Sequence, residues 1–181
     1  MRISLIACVT SDMCIGVDGQ LLIPLKPDLE HFKMMTTGHV IVMGKNTYMS
    51  LPDKKPLSNR TNVIISTSMK EAPEGFQLYK SVNDFINDYR EYDGEIFIIG
   101  GAQIYDAFMP FAEKVYLTHV HRDGIALLAE EYPDYYNVTK FPDSVYDYKW
   151  DFQKSVDEVC LDRKFGIVHY NFLTLHKLYA K

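Results

Sequence analysis

The sequence predicts a three-layer α/β protein, in which a mostly parallel sheet carries helices on both faces and ends in an antiparallel C-terminal hairpin. Short apolar runs rich in β-branched residues recur along the first two thirds of the chain, with helical periodicity in the gaps between them. The runs are continuously apolar, which suits strands buried on both faces. The last forty or so residues alternate apolar and polar without an intervening helix, as antiparallel neighbours do.

Taken in order, ISLIACV at 3–9 reads as a buried first strand. It turns polar at Thr10 and Ser11, too soon for a secretion signal or a membrane span. PDLEHFKMM from Pro27 has helical spacing, VIVM at 40–43 is a strand, and a short helical turn follows Gly44. NVIIS at 62–66 is a strand, SVNDFINDYR from Ser81 a helix, IFII at 96–99 a strand, AQIYDAFM from Ala102 a helix and VYLTHV at 115–120 a strand. From His121 to Phe141 no clear period shows, and this acidic, tyrosine-rich stretch is expected to be a long surface connection. Residues 148–159 and 165–178 read as two strands around a polar turn at Leu161–Lys164.

With 181 residues, 47% of them hydrophobic, the chain has enough apolar material for one domain over residues 1–181. A net charge of −5 and no run of Lys or Arg argue against a nucleic-acid partner. Cys8, Cys14 and Cys160 match neither a disulfide framework nor a zinc site, which predicts a reducing, cytoplasmic setting. His119 and His121 have no Cys or carboxylate at ligand spacing, so no metal is expected.

Two strand–glycine–helix turns could carry chemistry. In FIIGGAQIYDAF the strand ends at Gly100 and Gly101 before a helix, and in VIVMGKNTY it ends at Gly44 before Lys45, Asn46 and Thr47. Glycine lets a ligand approach the backbone, and a helix start offers N–H groups to a phosphate. Either turn alone is met by ordinary strand-to-helix geometry, whereas two in one sheet suit a dinucleotide lying across the strands' carboxyl ends. Asp28 opens the PDLEHFKMM helix and shares a face with Phe32 and Met35 at i+4 and i+7. An acid there can simply complement the helix dipole; buried, it would await a donor-bearing ligand. Arg60, before the NVIIS strand, suits a substrate carboxylate or an exposed turn.

The succession LIACV, Ile15–Gly16, PLKPDLEHFK, VIVMGKNTY, PLSNRTNVIIS, FIIGGAQIY, YLTHV and TKFP resembles dihydrofolate reductase over residues 2–142. The resemblance implies that family's three-layer fold with a central eight-stranded sheet. It also implies NADPH-dependent reduction of dihydrofolate to tetrahydrofolate, in one-carbon metabolism, by a cytoplasmic monomer. Asp28 matches the pterin-binding acid and Thr118 the hydroxyl bonded to it. Ile6, Ala7 and Cys8 match the strand beside the pterin, Leu29, Phe32, Leu51, Leu57, Ile99 and Tyr105 the walls around the substrate, and Arg60 the arginine on the folate's glutamate. For NADPH the matching positions are Ala7, Ile15, Gly16, Gly44, Lys45, Asn46, Thr47, Ser66, Thr67 and Lys80, then Ile99, Gly100, Gly101, Ala102, Gln103, Ile104 and Tyr105. Gly100 and Gly101 match a diglycine whose peptide bond is usually cis, and residues 16–22 a mobile loop.

The chain departs from the family's pattern in having Ile23 where a tryptophan usually follows that loop's Leu-Pro or Met-Pro pair, and Tyr48 where another is common. Two other readings stay open on the residues alone. One is an NADPH-dependent reductase of a pyrimidine in riboflavin synthesis, and the other is a reductase-like scaffold kept for binding.

Overall fold

The computed structural model of the protein describes residues 1–131 and 137–178. Its elements are β1 (Arg2–Thr10), β2 (Cys14–Val17), β3 (Gln20–Leu21), α1 (Lys26–Thr36), β4 (Val40–Gly44), α2 (Lys45–Ser50), β5 (Thr61–Ile65), β6 (Phe76–Tyr79) and α3 (Val82–Asp88). Then come β7 (Glu95–Gly100), α4 (Ala102–Phe108), β8 (Lys114–Val120), α5 (Gly124–Glu131), β9 (Val138–Lys140), β10 (Trp150–Lys154), β11 (Glu158–Asp162) and β12 (Gly166–Lys177). Eight strands lie side by side in the order β10–β12–β8–β1–β7–β4–β5–β6, and β11 pairs with the first half of β12. All pairings from β8 through β6 are parallel, while β12 runs antiparallel to β8 and to both of its outer partners.

Alternation along the central strands explains why they are apolar throughout. Leu5, Val42, Ile96 and Ile98 enter one buried cluster with Phe85 of α3 and Phe108 of α4. Their neighbours Ile6, Ile41, Met43 and Phe97 enter another on the opposite face, against Phe32 and Met35 of α1 and Tyr48 of α2. Successive side chains point to opposite faces, so covering both faces demands unbroken hydrophobicity. A third cluster, where α5 meets the loop after β1, gathers Cys14, Leu22, Ile23, Leu25, Leu127 and Leu128.

Three expectations are corrected. The supposed surface connection from His121 contains α5, whose Leu127 and Leu128 are buried, and β9, which joins β2 and β3 in a small second sheet. Of the tyrosine-rich insertion near residues 130–138, residues 132–136 lie outside the described residues. The first strand of the expected C-terminal hairpin is two strands, β10 and β11, and Leu161 belongs to β11 rather than to a turn. The break at 155–157 is fixed by tertiary bonds: Ser155 N–H donates to Phe172 O, Phe172 N–H donates to Ser155 Oγ, and the Asn171 amide donates to Asp157 at 2.8 Å.

The chain begins at the middle of the sheet in β1, builds outward through β4, β5 and β6, and returns to place β7 between β1 and β4 before β8 goes to the other side. The strand order therefore reverses about β1 and β7, where a crevice opens at the strands' carboxyl ends.

Candidate active site

A cavity of about 980 Å³ lies along that crevice. Every cofactor position expected from the sequence lines it: Ala7, Ile15, Gly16, Gly44, Lys45, Asn46, Thr47, Ser66, Thr67, Lys80 and the run Ile99–Tyr105. β4 ends at Gly44, where a Cβ would stand 2.9 Å from Ile104 Cγ1, so the two strand-to-helix turns touch only because this residue is glycine. β7 ends at Gly100, with φ +114° and a cis bond to Gly101, and α4 begins at once. A Cβ on Gly100 would meet the Tyr105 phenol at 3.1 Å, and that phenol donates to Ile6 O at 2.8 Å. The turn, α4 and the end of β1 are thus clamped together, with glycine backbone facing the cavity.

Two cations mark the far end. Lys45 Nζ stands 3.5 Å from Ser68 Oγ, and Lys80 Nζ donates to Met69 O, so both converge on the connection after β5. Ser66 Oγ and Ser68 Oγ are 3.3 Å apart between them. Exposed ammonium groups, hydroxyls and a nearby strand end come together here, a chemistry suited to an anion.

The other end is built from buried side chains. Asp28 is only 8% exposed and Thr118, from β8, 2%. Burial pushes the Asp28 carboxyl above its ordinary value, and a hydrogen bond with Thr118 partly offsets the rise. Thr118 stands opposite Cys8 in the β1–β8 register, which brings β1 to the acid. Burial and the Asp28 charge push the Cys8 thiol up, and burial followed by Asp28 and Cys8 raises the Tyr105 phenol strongly. Cys8 and Tyr105 also line the cavity, so Asp28 sits just behind its wall.

Phe32, Leu51, Leu57 and Ile99 pack on one half-buried apolar surface against the cluster holding Ile6. Arg60 lies beside it, with its guanidinium 5.8 Å above the Phe32 ring and Nε 2.9 Å from Thr36 Oγ1. Of the expected substrate positions Leu29 stands apart, 44% exposed and outside these clusters. Asp28, Phe32, Leu51, Leu57 and Arg60 are not part of the cavity lining itself.

Asp18, Gly19, Gln20 and Leu21, within the loop expected to close over the site, line the cavity, and so do Ser50, Ile65, Ser68, Asn137 and Thr139, which were not anticipated. The loop's turn is legible in the sequence. Asp18-Gly19 between Val17 and Gln20 is a two-residue hairpin turn with both φ values positive, as Asp-Gly favours. Asn137 and Thr139 reach the cavity because β9 pairs with β2, a contact no local pattern shows. Asp12 was also missed. It accepts bonds from Thr10 Oγ1 at 2.7 Å and Gly124 N–H at 2.7 Å, tying the loop after β1 to α5.

The reversal of strand order, two glycine turns and a buried acid beyond them define a class of α/β protein that lays a dinucleotide across the sheet's carboxyl edge beside a second ligand. The family described as dihydrofolate reductase matches residues 2–154. The dihydrofolate reductase of Ureaplasma parvum is 39% identical over 148 residues, 80% of this chain and 91% of that one. That of Bacillus subtilis is 35% identical over 121 residues, 67% and 70% of the two chains. The structure of Enterococcus faecalis dihydrofolate reductase complexed with NADP(H) and RAB-propyl superposes with a TM-score of 0.79 over 98% of this chain and 97% of the other, at 22% identity, a likeness of fold. The chain belongs to the dihydrofolate reductase family.

Proposed function

We infer that the protein reduces 7,8-dihydrofolate to 5,6,7,8-tetrahydrofolate with NADPH. The observation that carries this reading is the buried Asp28 carboxyl, held by Thr118 directly behind the cavity wall. Among the described residues no cation is paired with Asp28, so it is costly to ionise in such a place, and a flat heterocycle bearing an amino group and a ring N–H repays that cost. The cavity fits the cofactor: Gly44 and Gly100 leave backbone where a Cβ would intrude, and Lys45 and Lys80 supply positive charge suited to a 2′-phosphate. When bound, NADPH supplies the hydride.

The chain's own part is orientation and proton handling. Asp28 holds the pterin's amino group and ring nitrogen and, with its raised proton affinity, supports protonation of the ring. Thr118 fixes the carboxyl's orientation. Ile6, Ala7 and Cys8 form the floor beside the pterin, Phe32, Leu51 and Leu57 its walls, and Arg60 takes the glutamate carboxylate of the folate. Residues 1–181 act as one catalytic domain, as a cytoplasmic monomer. Among the described residues no helix is long and apolar enough to cross a membrane.

The test is consumption of NADPH with dihydrofolate against a blank lacking substrate. Turnover with dihydrofolate is expected; turnover only with an aminated pyrimidine, or none with either, overturns the assignment.

A further inference from the structure

Arg60 is fastened at both its backbone and its guanidinium. Asn62 is 3% exposed, and its side-chain amide accepts from Leu57 N–H at 2.9 Å and donates to Leu57 O at 2.9 Å and to Arg60 O at 3.1 Å, which closes the loop from Leu57 to Arg60 on itself. Gly38 N–H donates to Asn59 O at 2.7 Å and ties that loop to the end of α1. The half-buried guanidinium meets two hydroxyls at the same end: Nε is 2.9 Å from Thr36 Oγ1, and Nη2 is 3.3 Å from Thr37 Oγ1. Both hydroxyls also reach back along the helix, Thr36 Oγ1 to Phe32 O at 2.7 Å and Thr37 Oγ1 to Lys33 O at 2.6 Å.

The direction of each bond follows from the chemistry of the groups. A carbonyl only accepts and a guanidinium only donates, so each hydroxyl gives its hydrogen to the helix carbonyl and turns a lone pair to Arg60. The end of α1 is also the negative end of its dipole, which favours a cation. Nε–H and one Nη2–H form one edge of the planar guanidinium, and the two threonines occupy it. The adjoining edge, Nη1 with the second Nη2–H, is a fork that matches the two oxygens of one carboxylate. With its carbon 5.8 Å from the Phe32 ring centroid, the guanidinium holds this fork at the end of the apolar surface made by Phe32, Leu51 and Leu57.

We propose that Thr36 and Thr37 are positioning residues for the reduction: together they set the plane of Arg60 and reserve its Nη1–Nη2 edge for one carboxylate of the substrate's glutamyl tail. This rests on the dihydrofolate reductase reading of the site. The contact is remote from the reacting carbon and is the same in ground and transition states, so it acts on affinity and not on the chemical step. Without the hydroxyls Arg60 keeps its charge but loses its fixed plane, and a half-buried Nε–H is left without its acceptor.

The test uses Thr36→Val and Thr37→Val, which keep the branched shape and remove the hydroxyl, and Thr36→Ser, which keeps the hydroxyl. Steady-state kinetics are measured with dihydrofolate and with 6-methyl-7,8-dihydropterin, which has the same ring and no glutamyl tail. In Thr36→Val the KM for dihydrofolate should rise about tenfold with kcat within about twofold, and in Thr37→Val, whose bond is longer and exposed, about threefold. Thr36→Ser should stay near wild type, and kcat/KM for the tail-less pterin should not move beyond about twofold in any variant. Equal losses on the two substrates, an unchanged KM for dihydrofolate in Thr36→Val, or a Thr36→Ser as impaired as Thr36→Val overturns the proposal. NMR of the ligand-free protein gives a readout independent of turnover: the Arg60 Nε–H should exchange with solvent at least about tenfold faster in Thr36→Val than in wild type. Equal exchange overturns the clamp whether or not the wild type reduces dihydrofolate, whereas a protected Nε–H in a wild type that leaves dihydrofolate unreduced overturns the reading of the site.

Discussion

The two ends of the site are made from different materials. The dinucleotide groove is backbone: Gly44, Gly100 and Gly101 at the ends of β4 and β7, helix starts behind them, and lysines at the rim. The acid pocket is side chain: Asp28 on α1, Thr118 on β8 and Cys8 on β1, each from a different element and each buried or half-buried. A groove of backbone is part of the fold, so changes there are felt as stability. A pocket of converging side chains is separable from the fold, so changes there are felt as chemistry.

The sharpest break of that comparison is Asp28→Asn. Turnover at neutral pH should drop roughly 10²–10⁴-fold, the usual worth of a positioned acid or base, while NADPH binding stays within about twofold. Stability should move the other way. The folded-state affinity of Asp28 for protons is raised above the unfolded one, so its contribution is fully present at low pH and is lost as pH rises through the folded value. The amide removes that loss. Thermal melts should therefore show the variant more stable than wild type at pH 7, with the gap closing below the ordinary carboxylate pKa. A less stable variant at pH 7 would mean the carboxylate has a cationic partner in the fold.

The groove should respond oppositely. Gly100 has φ +114° and a Cβ there would press on the Tyr105 ring at 3.1–3.2 Å, whereas a Cβ on Gly101 would meet only Thr47 Oγ1 at 3.5 Å. Gly100→Ala is expected to cost about 1–3 kcal/mol of unfolding free energy without any ligand, and Gly101→Ala much less. Urea unfolding of the two variants checks this, and equal losses would show that the backbone conformation at 100 is not what the fold depends on.

These contrasts also explain what the sequence made legible. β1, β4 and β7 stood out because strands buried on both faces leave long apolar runs, and Gly100-Gly101 stood out because it follows one of them directly. Asp28 could be picked out as an acid heading an apolar helix face, but its burial, and so its chemistry, depends on β8 and β1 closing over it. α5 was hidden because Ile125, Ala126, Leu127 and Leu128 form a run without helical alternation. Only Leu127 and Leu128 are buried there, against Val120 at the end of β8 and Phe165 in the turn between β11 and β12. β6 is four residues at the sheet's edge, too short to declare itself beside Pro73 and Gly75. The division of β10 from β11 rests on Ser155 and Asp157 bonding to Phe172 and Asn171, which no local pattern encodes.

A smaller effect belongs to the groove's rim, where side chains rather than backbone meet the ligand. Lys45→Ala and Lys80→Ala should each weaken NADPH binding several-fold, in line with about 1 kcal/mol for an exposed charge pair, and leave NADH nearly untouched. The difference should shrink as salt is added. Fluorescence titration with both nucleotides, at low and high ionic strength, measures it; equal losses for the two nucleotides would take the lysines away from the 2′-phosphate.

The smallest effect concerns Asp12, where a side chain does what backbone does elsewhere and fastens one segment to another. Burial alone would raise its carboxyl, but bonds from Thr10, the Gly124 N–H and Cys14 outweigh that and hold it at about 2 against an ordinary 3.8. Lys140, 3.7 Å away, is half-exposed and contributes little through solvent. The depressed value means Asp12 stabilises the fold above 3.8 and loses that contribution as pH falls through about 2. Asp12→Asn keeps an acceptor for Gly124 but cannot titrate. Wild type and variant should therefore differ in melting temperature at pH 6 and converge as the pH approaches 2. The Gly124 amide should also exchange faster in the variant at neutral pH, because a neutral oxygen accepts more weakly than a charged one. Parallel melting curves across the whole range would show that α5 is held to the loop by the packing of Leu127 and Leu128 alone.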